Sequence, residues 1–309
     1  MSRVLVTGGA GAIGGNLVRS LVDRGDDVVV LDDLSSGRRD AVGPTAALLV
    51  GSVSDETAVE HAFSFGPERV VHLAALFANQ NSVDHPEADL TVNALGTLRV
   101  LRASVEHGVA KVLICSSSCV YGTGDSDDAR PPALVQETPY AMTKALAESY
   151  ARFYSAEHGL DTVIVRPFNV YGPGEVPGMY RNVIPNFLAR AAAGEPLLIT
   201  GTGRETRDFT FVDDTVNGML LALDADTQPG DAFNLATGVE TTIGDLAERI
   251  NALVGSTAGI ELQARRSWDA IERRRGDATR AASLLGFSPS IGLDEGLERT
   301  WRWLHDIDG

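Results

Sequence analysis

The sequence predicts an α/β fold built on a doubly wound parallel sheet. Three observations carry the prediction. Short β-branched runs alternate with segments of 3.6-residue apolar periodicity, the runs are apolar throughout rather than at every second position, and the first run leads directly into a glycine-rich turn. Uninterrupted apolar runs are what a sheet with helices on both faces requires, because both sides of each strand are then buried.

Taken in order, Val4–Thr7, Val28–Asp32, Leu48–Gly51, Val70–Ala74, Val112–Ser116 and Thr162–Arg166 read as strands with helical segments between them. After about Asn169 the pattern loosens into the loops Tyr171-Gly172-Pro173-Gly174 and Pro177-Gly178, then a helix near Val183–Ala193 and mixed short elements. This predicts a first domain over 1–168 and a smaller mixed α/β C-terminal unit over 169–207 and 237–309. The segment Arg207–Leu223 resumes strand-then-helix character, so the chain is expected to return to the first domain at about 208–236. The segments Ala88–Val105 and Met142–Ala156 are apolar on more than one face, which burial against a single core does not require.

With 309 residues, 44% of them hydrophobic, the chain is long enough for one large domain or two intimately joined ones. A net charge of −16 opposes binding to nucleic acid or an anionic membrane, so an anionic ligand must meet a local basic pocket. Only two cysteines occur, Cys115 and Cys119, and no histidine cluster accompanies them, so no metal site is expected. The chain enters directly on Arg3–Thr7 and contains no run of about 18 apolar residues, which predicts a cytoplasmic protein.

The first strand runs into Thr7-Gly8-Gly9-Ala10-Gly11-Ala12-Ile13-Gly14, and a helical pattern follows over Asn16–Arg24. At such a strand-to-helix turn the backbone must approach a pyrophosphate without a Cβ in the way, while the helix N-terminus offers free N–H groups. Gly8, Gly11 and Gly14 are the candidates. The second strand ends at Asp32-Asp33, 18 residues beyond Gly14, where a carboxylate accepts hydrogen bonds from ribose hydroxyls and repels a 2′-phosphate. Asp32 is the expected ribose ligand and NAD the expected cofactor, with Asp33 read as a loop or cap residue. Arg38 and Arg39 leave the 2′-phosphate alternative open.

Tyr140-Ala141-Met142-Thr143-Lys144 opens a helix, so Tyr140 and Lys144 project from one face a turn apart. A free tyrosine, with a pKa of about 10, is a poor base at neutral pH. A cation roughly 5–6 Å away, at an effective dielectric near 20, favours the phenolate by about 3 kcal/mol, or about two pKa units. The strand ending in Ser116, Ser117 and Ser118 delivers hydroxyls to the C-terminal edge of the sheet, the rim at which such folds bind ligands.

The glycine turn, Asp32, Val71–Ala75, Ser116–Gly122, the Tyr140/Lys144 pair and Arg166–Gly172 together resemble an extended short-chain dehydrogenase/reductase across essentially the whole chain. The resemblance implies a Rossmann-type doubly wound parallel sheet that binds NAD and a smaller C-terminal unit that binds substrate. It is nearest to UDP-glucose 4-epimerases and their relatives acting on other UDP-sugars. It implies Ser117, Tyr140 and Lys144 as catalytic residues, and a cofactor site of Gly8, Gly11, Ala12, Ile13, Gly14, Asp32, Ser52, Val53, Leu73, Ala74, Ala75, Asn93, Tyr140, Lys144 and Pro167. For the UDP-sugar it implies Ser117, Ser118, Asn169, Arg181, Asn182, Val183, Arg207, Arg266 and Asp269, and it implies a homodimer through the two extra-apolar helices. In this family Tyr140 would take the 4-hydroxyl proton, hydride would pass to NAD, and the 4-keto sugar would turn before the hydride returned to its other face.

Two features depart from the family pattern. Gly51-Ser52-Val53 lacks the usual adenine-contacting Asp, leaving Ser52 for that contact, and Ser118-Cys119 stand where relatives that remove water or carbon dioxide carry an acid. Elimination at C5 and C6 needs a group that moves a proton near neutral pH, which favours a 4-epimerase over a dehydratase or decarboxylase. Arg181 beside the nucleotide segment reads equally as a surface residue or as a partner for a uronate carboxylate. Arg207 could instead pair with Asp208 or Asp213.

Overall fold

Strands β1 (Arg3–Thr7), β2 (Asp27–Asp32), β3 (Ala47–Val50), β4 (Arg69–His72), β5 (Lys111–Cys115) and β6 (Thr162–Pro167) of the computed structural model lie within a few residues of the expected ones. Residues 1–77, 79–123 and 136–308 are described. The helices between these strands are α1 (Ala12–Asp23), α2 (Glu56–Phe63), α3 (Asn79–Asp84), α4 (Pro86–Asp89), α5 (Gly96–Glu106) and α6 (Pro139–His158). A π-helical turn, Leu90–Leu95, joins α4 to α5. The C-terminal part holds α7 (Val183–Ala192), β7 (Leu197–Thr200), β8 (Thr206–Asp208), α8 (Val212–Asp224), β9 (Asp231–Leu235), β10 (Glu240–Thr242), α9 (Ile243–Val254), β11 (Ile260–Gln263), α10 (Thr279–Leu285) and α11 (Leu293–Asp308).

The main sheet has the order β3-β2-β1-β4-β5-β6-β9 with every pairing parallel. Alternate residues of one strand serve opposite cores. Val4 and Val6 pack with Leu17, Leu21 and Met219 on one face, whereas Leu5 packs with Val59, Leu101 and Ala151 on the other. The first of these cores continues without a break into Leu197, Ile199, Leu246 and Ile250 of the C-terminal elements. That shared core fixes the C-terminal part against the sheet.

β9 was not among the expected strands. Its sequence, Asp231-Ala-Phe-Asn-Leu, has no β-branched residue, and pairing with β6 from Val163–Asp231 to Pro167–Leu235 overrides the weak local preference. β8 pairs antiparallel with β10 outside the main sheet. Asp208 holds that region: its carboxylate accepts from the Thr237 amide and hydroxyl, the Gly238 amide and the Gly276 amide. Among the described residues, no helix is long and apolar enough to cross a membrane.

Candidate active site

Strand order reverses between β1 and β4, which opens a crevice at their C-terminal ends. A cleft of about 400 Å³ occupies it, within the size range of small-molecule sites. Gly8, Gly11, Ala12, Ile13, Gly14, Asp32, Ser52, Val53, Leu73, Ala74, Ala75 and Pro167 line it, as do Ser117, Ser118, Tyr140, Lys144, Asn169, Arg181 and Asn182.

The glycine turn is tight enough to exclude any side chain at two positions. Gly8 has φ +74°, and a Cβ there would lie 2.6 Å from the Ala74 amide nitrogen; a Cβ on Gly14 would lie 2.1 Å from the Gly8 carbonyl oxygen. Gly11 precedes α1 without a capping side chain, and the first turn of that helix carries no acidic residue, so its N-terminus keeps its attraction for an anion. Each Asp32 oxygen accepts one amide, from Ala10 at 2.9 Å and from Leu34 at 2.8 Å, which leaves acceptor capacity for a ribose diol. Burial pushes the Asp32 carboxyl above its ordinary range despite these bonds. Arg38 is paired with Asp40, and neither Arg38 nor Arg39 lines the cleft. A side-chain-free cradle, an uncapped helix terminus and a buried carboxylate together fit NAD.

The reacting end rests on α6. Thr138 caps that helix through the Ala141 amide, Pro139 opens it, and Gly159 ends it in the left-handed conformation. Tyr140 and Lys144 are 6% and 5% exposed. Lys144 Nζ donates to the Cys115 carbonyl at 2.8 Å and lies 5.7 Å from the centre of the Tyr140 ring. Phe77 meets that ring edge-on at 6.0 Å. Ser117 caps the 3-10 turn Ser118–Tyr121 by accepting the Cys119 amide at 3.2 Å, while Ser116 is turned into the core against Glu148.

The expectation that Lys144 together with a nicotinamide cation brings Tyr140 within range concerns the site with cofactor; in the protein alone burial sets the balance. Burial pushes the Tyr140 hydroxyl well above 10.0, reinforced by Cys119, Cys115 and Asp89, and the Ser117 hydrogen bond only partly opposes it. Burial also lowers Lys144, against the pull of Cys115 and Asp89. Desolvation dominates at both groups, because each is almost fully withdrawn from water.

Five expected ligands stand outside the cleft wall. Asn93 lies behind it, accepting the Leu76 amide at 2.7 Å and donating to Asp89 at 2.6 Å; it props the loop that follows β4. Val183 opens α7 and packs against the core. Arg207 pairs with Asp269 at 3.5 Å, rather than with Asp208 or Asp213, and donates to the carbonyls of Thr206 and Ile271. Arg266 stacks on Trp268 at 5.6 Å. Arg207 and Asp269 thus form a pair of their own with Arg266 nearby in sequence, and Arg274 of the same segment reaches the cleft by donating to the carbonyls of Ser118 and Gly122. Arg181 does line the cleft, but its guanidinium donates to the Ser36 carbonyl at 2.7 Å.

Cys119 lines the cleft beside Ser118; Phe77, Asn79, Tyr171 and Glu175 also line it and were not expected there. Phe77 had a signal, its place on the loop leaving β4 at the sheet rim. Glu175 had none, since its burial comes from the chain folding back so that Asn182 donates to it through both backbone and side chain.

Residues 4–236 match the model of the NAD dependent epimerase/dehydratase family. The chain is 37% identical over 305 residues to a UDP-glucose 4-epimerase of Mycolicibacterium smegmatis, covering 96% of this chain and 97% of that one. It is 31% identical over 320 residues to a UDP-N-acetyl-alpha-D-glucosaminuronate decarboxylase of Bacillus cytotoxicus, covering 99% and 98%. The solved structure of an epimerase from Methanothermobacter thermautotrophicus superimposes with a TM-score of 0.96 at 42% identity, covering 99% of this chain and 92% of that one. The chain belongs to the NAD-dependent epimerase/dehydratase family; it is an enzyme, and its cofactor is NAD.

Proposed function

We propose that this member of the NAD-dependent epimerase/dehydratase family is a nucleotide-sugar 4-epimerase, inverting C4 of a UDP-hexose through a transient 4-keto sugar. The pair UDP-glucose/UDP-galactose or the pair UDP-glucuronate/UDP-galacturonate would be its substrates. The observation that carries this reading is the make-up of the cleft wall around Tyr140. Among the described residues the carboxylates in that wall are Asp32, Asp33 and Glu175. Asp32 and Asp33 stand at the end of β2, and Glu175 is engaged by Asn182. The positions after Ser117 are Ser118 and Cys119, so the wall offers no carboxylic acid there for elimination at C5 and C6. Inversion at C4 needs, besides NAD to accept and return the hydride, only a base that takes and returns one proton.

In this reading Tyr140 takes the proton of the 4-hydroxyl and returns it in the reverse step. Lys144 holds positive charge beside the phenolate, and Ser117 orients the reacting oxygen by a hydrogen bond. NAD held by the glycine turn and Asp32 supplies reversible acceptance of a hydride at C4, so no free cofactor is consumed. Asn169 would contact the diphosphate, Asn182 and Val183 would line the nucleotide pocket, Arg207 would bind phosphate, and Arg266 and Asp269 would complete the clamp. The bond from Arg181 to Ser36 favours a neutral hexose over a uronate as the first substrate to test. Leu90, Leu95 and Val105 on one helical run and Met142, Leu146 and Phe153 on α6 are exposed, which supports a homodimer through a four-helix contact. The two unpaired thiols suit a reducing compartment such as the cytoplasm.

The test is incubation with UDP-glucose, UDP-glucuronate, UDP-N-acetylglucosamine and dTDP-glucose, without added reductant, followed by NMR of the products with Tyr140→Phe as control. A C4-inverted product absent from the control is expected. A pentose or a 4-keto-6-deoxy sugar would instead establish the decarboxylase or dehydratase reading, which the similarity to the Bacillus decarboxylase keeps in view.

A further inference from the structure

A buried polar chain lies beneath the segment that carries Ser117. Glu148, one helical turn beyond Lys144 on α6, is 0% exposed, and Arg166 on β6 is 1% exposed. Arg166 grips the Glu148 carboxylate with two bonds, Nε at 2.8 Å and Nη2 at 2.6 Å. Arg152 adds a third at 3.0 Å. From this pair the contacts run to both flanks of Ser117. On one side the Ser116 hydroxyl donates to Glu148 at 2.6 Å. On the other, Arg166 Nη1 donates to the Tyr121 hydroxyl at 2.7 Å, and that hydroxyl donates to Asn234 of β9 at 2.8 Å.

We propose that the Glu148–Arg166 pair is a positioning device that sets the Ser117 hydroxyl against Tyr140 and Lys144, acting through Ser116 and Tyr121. The inference rests on the reading of Ser117 as the hydroxyl that orients the substrate. The geometry gives it force because Glu148 rides on the same rigid helix as Tyr140 and Lys144. One carboxylate therefore references the serine segment to the helix that carries the base. Ser117 itself caps a short 3-10 turn, an element with little rigidity of its own, so its placement depends on what grips the segment on either side. A bidentate guanidinium–carboxylate pair fixes distance and plane together, which a single hydroxyl bond does not.

Glu148→Gln strands a buried guanidinium and risks failure to fold, so the test uses Ser116→Ala with Tyr121→Phe, which cuts both links and leaves the ion pair intact. The expected result is a fall in kcat of roughly tenfold to a hundredfold, the scale of small misplacements, with KM and bound NAD close to those of the parent and a fall in Tm that is the same whether or not Ser117 is present. The same two substitutions in a Ser117→Ala background are expected to change kcat less than about twofold, because no hydroxyl remains to be positioned. Equal losses of kcat in both backgrounds would mean a general structural role and overturn the proposal, as would no loss with Ser117 intact. If Ser117→Ala alone leaves kcat unchanged, the reading of Ser117 has failed instead.

Discussion

Lys144 Nζ stands 5.7 Å from the centre of the Tyr140 ring, tethered by its 2.8 Å bond to the Cys115 carbonyl. The tether runs to the last residue of β5, so the cation is fixed to the sheet and to α6 at once. Lys144→Met is expected to lower kcat by about 10²–10⁴-fold, the range for loss of acid–base assistance. Steady-state rates on the identified substrate check this, and retention of half the parental kcat would refute the role given to Lys144.

Tyr140 is held protonated by burial in the protein without cofactor. Its raised pKa means that the phenolate forms only at pH values above the ordinary range near 10. In enzyme stripped of NAD, ultraviolet titration of the parent minus Tyr140→Phe should therefore show no phenolate signal below about pH 10. A difference signal near neutrality would show that Lys144 dominates over desolvation even without the cofactor.

His72 sits 2% exposed between the hydroxyls of Thr7 at 2.7 Å and Thr97 at 2.9 Å, and burial, aided by the nearby Lys144 charge, lowers its pKa to about 3. Below pH 6.5 the unfolded chain takes up a proton that the folded chain refuses. Its contribution to stability is complete above pH 6.5 and is lost as pH falls toward about 3. At about 1.4 kcal/mol per pH unit, roughly 2 kcal/mol should disappear between pH 6.5 and 5. Urea unfolding of the parent should show that slope, and His72→Gln, which keeps a donor and an acceptor, should flatten it over the same interval.

Gly14→Ala places a methyl group 2.1 Å from the Gly8 carbonyl oxygen, so the turn must open. The expected outcome is destabilisation by about 1–3 kcal/mol, as for other overpacked sites, together with loss of bound NAD. Gly25→Ala is the contrasting case: Gly25 has φ +89° with nothing within 4 Å of the added carbon, so it carries backbone strain without the steric overlap that Gly14→Ala creates. Its Tm should fall without loss of NAD.

Much of the sheet was legible because its inner strands are apolar runs buried on both faces, which leaves no other use for such a run, and the partly exposed edge strand β3 carries a run of the same kind. The glycine turn and Asp32 were legible for a related reason. Their chemistry is local: a turn without Cβ atoms and a carboxylate at the end of the next strand are separated by few residues. Tyr140 and Lys144 could be paired from spacing alone, since a helix of known period fixes their common face.

What needed the tertiary structure was everything set by distant segments meeting. β9 became a strand because β6 presented an edge to it, and Asn93 stands behind the cleft wall because Leu76 and Asp89 converge on its amide. Arg207 chose Asp269 over its neighbours Asp208 and Asp213, because those carboxylates face Thr237, Gly238 and Gly276 in one case and Arg299 in the other. The sequence by itself determined the elements and the short-range chemistry, through periodicity and steric need. Burial decided the rest, since the charge state of Tyr140 and the partners of each buried group depend on how much water the folded chain removes, and no local pattern carries that quantity.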